Sequence, residues 1–79
     1  MKIIQEQWED FKRQVIPKGA SLTQVQEMRR AFYAGSAATV SIMCDTSKTK
    51  MSEEAAHNML VGLAIELEAF MEAVVAGEA

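Results

Sequence analysis

The sequence predicts an all-α fold: a short N-terminal amphipathic helix followed by a long antiparallel αα-hairpin, assembled as a homo-oligomer. Three observations carry this expectation. Apolar residues recur at steps of three and four and nowhere alternate as a strand requires. Ser21 and Ser52 each stand where a helix would begin. Only the short polar stretch of residues 45–50 separates two segments of nearly equal length, as in a helical hairpin.

The first helix is expected over about residues 2–15. Ile4, Trp8, Phe11 and Val15 form one narrow apolar stripe on an otherwise charged segment, so it docks onto another element. Pro17 disfavours a helical conformation at Ile16, and Gly19 suits a turn. Ser21 then opens the second helix, with Gln24 at the spacing of a capping box. That helix is expected over about residues 22–43, with Leu22, Val25, Met28, Phe32, Gly35, Thr39 and Ile42 facing the core. Residues 45–50 read as a polar loop. Ser52 caps the third helix, expected over about residues 53–75, and Glu53 and Glu54 complement the dipole in its first turn. Met59, Leu60, Leu63, Leu67, Phe70 and Val74 form its main apolar face, and Gly77 ends it.

At 79 residues the chain makes a single helical domain, residues 1–79. A chain of this size buries only roughly 60–65% of its unfolded surface. Small scaffolds add disulfides, a metal or association to their own core. Cys44 is the one cysteine, so no intrachain disulfide can form, and Cys44 with His57 makes no structural zinc set. Yet 49% of the residues are apolar, six of them methionines, which points to self-association. The lone cysteine and the lack of a signal peptide favour the cytoplasm. The longest apolar run, residues 59–65, is far shorter than the about 20 residues that span a bilayer. Residues 53–79 carry six glutamates and no Lys or Arg, whereas all eight basic residues lie before them. A broad basic face for duplex DNA is therefore missing, and the opposite charges are placed to attract each other within the fold or between copies.

Residues 24–35 hold the most informative pattern. Gln26, Arg30 and Tyr33 follow spacings of four and three, and Arg29 stands one turn before Tyr33, so these side chains share a polar face. Two guanidinium forks beside a phenol suit an anion and a flat ring. In a hairpin turning near Ser47, Glu66 would face Arg29 and Gly62 would face Tyr33. Two readings stay open at this point. The arginines pair with Glu66, Glu68 or Glu72, or they line a pocket floored by Gly35 and Gly62. Lys48 and Lys50, beside three hydroxyls ahead of the third helix, form a generic anion site or simply a solvated loop. His57 and Cys44 have no positioned partner, so the chain is not expected to be an enzyme and no cofactor is implied.

Trp8, Phe11, Pro17, Gln24, Glu27 and residues 29–35 together resemble a W…F…P…Q..E.RRAFYAG pattern of small phage and prophage helical proteins. The resemblance covers roughly residues 7–40 and implies a phage origin more than a particular activity. A looser likeness, at the level of fold and without shared motif residues, is to phage proteins that sequester cyclic-nucleotide immune signals. The resulting expectation is a counter-defence protein of the host-cell cytoplasm that sequesters a small cyclic or linear phosphorylated nucleotide. Arg29, Arg30 and Tyr33 would lead, with Gln26, Lys48 and Lys50 behind them. The rival expectation is an inhibitor or adaptor that binds a host defence protein through an acidic face of Glu66, Glu68 and Glu72.

Overall fold

A computed structural model describes residues 1–48 and 50–79, with the backbone alone at residues 46–48. The described residues form three helices, α1 (Ile3–Val15), α2 (Leu22–Lys48) and α3 (Glu53–Val75), and no strand. The fold is all-α. The chain divides into two compact units, Met1–Cys44 and Asp45–Ala79.

In the first unit, α1 ends for the reason its sequence suggests. The Ile16 N–H donates to the Lys12 carbonyl at 3.2 Å, closing the last helical turn. Ile16 itself is extended, at φ −85° and ψ 124°, as a residue before proline must be. The chain turns at once, with the Ala20 N–H donating to the Pro17 carbonyl at 3.1 Å. Ser21 then opens α2. Its hydroxyl accepts from the Gln24 N–H at 3.1 Å, and its carbonyl accepts from the Val25 N–H at 3.0 Å.

The core of this unit is small and aromatic. Trp8 is 2% exposed and packs edge-on against Phe32, ring centroids 5.6 Å apart. Phe11 lies 6.0 Å from Trp8 and 5.4 Å from Phe32, which closes a three-ring cluster. Offset and edge-on pairs of this kind add about 0.5–1.5 kcal/mol each beyond the area they bury. Val25 and Met28 are half-buried beside the cluster. Ile16 and Val25 line a groove at one end of α1, and Ile4 and Tyr33 line another at the opposite end. The two helices therefore run in opposite senses.

The apolar stripes need correction at their ends. Val15 is exposed, and Ile16 takes the buried place, 7% exposed. The helix stops at Val15, and Ile16, in extended backbone, lines a groove with Val25. Leu22, at the head of α2, is 84% exposed, and Gly35, Thr39 and Ile42 are exposed as well. The length of α2 also exceeds the expectation, since it passes Met43 and continues to Lys48. The expected loop at residues 45–50 is thus helical over most of its length. Neither glycine nor proline interrupts it, and an established helix adds a hydrogen bond with each further residue. Thr49 lies outside the described residues.

In the second unit, Ser52 caps α3. Its hydroxyl accepts from the Ala55 N–H at 3.1 Å and its carbonyl from the Ala56 N–H at 2.9 Å. At the other end the Gly77 N–H donates to the Val74 carbonyl at 3.1 Å, and the Glu78 N–H to the Ala73 carbonyl at 2.8 Å. This pair of bonds is a Schellman motif, which needs a left-handed residue at its centre. Gly77 supplies it, with φ +76°. Between these ends α3 has no buried residue. Met59 and Leu63 are half-buried, while Ile65, Leu67, Phe70 and Met71 are each about 60% exposed. Among the described residues no helix is long and apolar enough to cross a membrane.

Candidate functional site

The polar face expected on α2 forms an open groove in the first unit. Gln26, Arg29, Arg30 and Tyr33 line it, and its volume is about 310 Å³. The backbone of α2 sets these four side chains at steps of three and four, so they stand together on the helix surface. Tyr33 is half-buried because its neighbour Phe32 belongs to the aromatic cluster, 6.2 Å away between ring centroids. The Tyr33 ring therefore has Phe32 edge-on beside it.

The two arginines differ in their partners. The Arg29 guanidinium carbon sits 5.2 Å from the Tyr33 ring centroid, a cation–π contact. Among the described residues Arg29 makes no ion pair. Arg30 donates to the Glu27 carboxylate at 3.4 Å, one turn earlier on the same helix. Both members of that pair are largely exposed, so it contributes only about 0–1 kcal/mol. A phosphate can displace this carboxylate at small cost.

A second groove adjoins the first and was not foreseen. Arg29 and Tyr33 also face the first turn of α1, where Lys2, Ile3, Ile4 and Gln5 complete a groove of about 480 Å³. In the sequence Lys2 stands only at the expected start of a helix. The available signal was the aromatic stripe: once Trp8 packs on Phe32, the preceding turn of α1 must lie near the next turn of α2.

The remaining expected site residues, Lys48 and Lys50, belong to the second unit. Lys50 is exposed in a left-handed conformation, φ +53°. The side chain of Lys48 lies outside the described residues. A side chain at Gly35 or at Gly62 would meet nothing within 4 Å, so neither glycine floors a close contact in this chain. The hydroxyls in the small-residue run bond to their own helix. Ser36 donates to the Phe32 carbonyl at 3.0 Å and Thr39 to the Gly35 carbonyl at 3.1 Å. Cys44 and His57 are exposed. Among the described residues no three His, Cys, Asp or Glu side chains gather as a metal site. No family model, curated protein or solved structure matches the chain.

Proposed function

We propose that this chain is a binding protein without chemistry of its own, which holds a phosphorylated nucleotide on the Arg29–Tyr33 face of α2. The observation that carries the reading is the groove itself. Arg29, which makes no ion pair among the described residues, lies against the Tyr33 ring, and Arg30 and Gln26 complete the lining. A guanidinium fork takes two phosphate oxygens at once. An aromatic face and a guanidinium plane accept a base by stacking, worth roughly 1–3 kcal/mol per base. The Gln26 amide can donate to or accept from a base edge.

The assembly belongs to the same proposal. The α2 and α3 helices form an antiparallel hairpin, and copies of the chain cover the exposed face of α3 against one another. Apolar patches of this breadth are uncommon on monomers. The resemblance of residues 29–35 to a phage pattern supports a role in counter-defence, in which the protein would keep a signalling nucleotide from a host effector in the cytoplasm.

Calorimetric titration of the intact protein with cyclic and linear nucleotides tests the reading, with native mass spectrometry reporting subunit number and any retained small molecule. Binding is expected, weakened strongly by Arg29→Lys and by Tyr33→Ala with little change in thermal stability. One specific observation favours a second reading, an adaptor for a host protein: Ile65, Leu67, Phe70 and Met71 are exposed amid Glu66, Glu68 and Glu72. A silent titration across the whole panel, with the oligomer intact, would make that adaptor the better account.

A further inference from the structure

Arg29 and Tyr33 line two grooves at once, and the grooves differ in character. One side carries Arg30 and Gln26. The other carries the Lys2 ammonium and Met1, beside the exposed aliphatic side chains of Ile3 and Ile4. Among the described residues Lys2 makes no ion pair, and its side chain does not cap α1. Positive charge therefore stands on both sides of one flat, stacking ridge.

We infer that the ligand is a nucleotide with two separated phosphates, one held by Arg29 and Arg30 and the other by Lys2, with its flat group lying along Tyr33. This inference rests on the nucleotide reading above and adds Lys2 as the residue that sets specificity. A ligand with one phosphate fills the α2 groove and leaves Lys2 unused. A second phosphate reaches across the Arg29–Tyr33 ridge to the first turn of α1. Lysine suits this outer position because its flexible stem lets a point charge follow an anion without demanding a planar geometry.

The test compares adenosine 5′-monophosphate with adenosine 3′,5′-bisphosphate by calorimetry on the full chain. The bisphosphate should bind at least about tenfold more tightly, a difference of about 1.4 kcal/mol. Lys2→Ala should abolish that advantage, while Lys2→Arg should largely restore it. Equal affinity for the two ligands, or an advantage that survives Lys2→Ala, would overturn the inference and leave the nucleotide reading standing. Absence of binding by both ligands would overturn the role of Lys2, and extending the silence to the whole panel of cyclic and linear nucleotides would remove the nucleotide reading too.

Discussion

The two compact units are both helical and both rich in apolar residues, yet among the described residues only the first holds almost fully buried side chains. In Met1–Cys44, Trp8 and Ile16 are enclosed and three rings lie in mutual contact. In Asp45–Ala79, α3 has good caps at both ends and a wide apolar surface, and buries nothing. Helix formation and core formation are thus separate achievements. Caps, dipole matching and the absence of breakers are enough to make α3 a helix. A core needs bulky side chains converging from two directions, and in the first unit the sharp turn at Pro17 brings them together.

The largest effect should come from breaking the first unit at its centre. Trp8→Ala removes the ring that contacts both Phe11 and Phe32 and should destabilise the chain by about 3–5 kcal/mol, read as a lower urea midpoint. If the midpoint hardly moves, the aromatic cluster is not what holds α1 in place.

The second unit should respond in assembly rather than in helix content. Phe70→Glu places a charge on the exposed face of α3 and should weaken each contact between copies by about 2 kcal/mol, lowering the mass seen in sedimentation equilibrium. An unchanged mass would mean that this face is not where copies meet.

The smallest expected change is a gain that compares the units directly. Gly35 lies in α2 and Gly62 in α3, and an added Cβ has open space at both. Alanine at either position should stabilise its helix by about 0.5–1 kcal/mol. A loss at Gly35 alone would show that the small-residue run of α2 is covered by another copy, and a loss at Gly62 would say the same of α3.

The three helices were legible because their limits are written locally. Ser21, Ser52, the residue before Pro17 and Gly77 each act on their own neighbours through one or two backbone bonds. The end of α2 was not legible, since residues 45–48 look polar and loop-like but contain nothing that stops a helix already under way. The grouping of Gln26, Arg29, Arg30 and Tyr33 followed from helical spacing alone. Lys2 did not, because its place beside Arg29 depends on how two helices cross. Ile16 was missed for a related reason: it was read as part of a stop signal, and its side chain is placed by the backbone that leaves the helix. Periodicity within a helix carries no information about side chains set by the chain's exit.

The aromatic cluster also divides the molecule optically. The chain has one tryptophan and one tyrosine, and both lie in the first unit, linked through Phe32. Emission and near-ultraviolet dichroism will therefore report on residues 1–44 and be almost blind to α3, whereas far-ultraviolet dichroism records helix from both units. An unfolding experiment followed by the two signals together resolves the units without any label. A ligand seated on Tyr33 would be sensed by Trp8 two rings away, so this protein carries its own reporter at the edge of its candidate site.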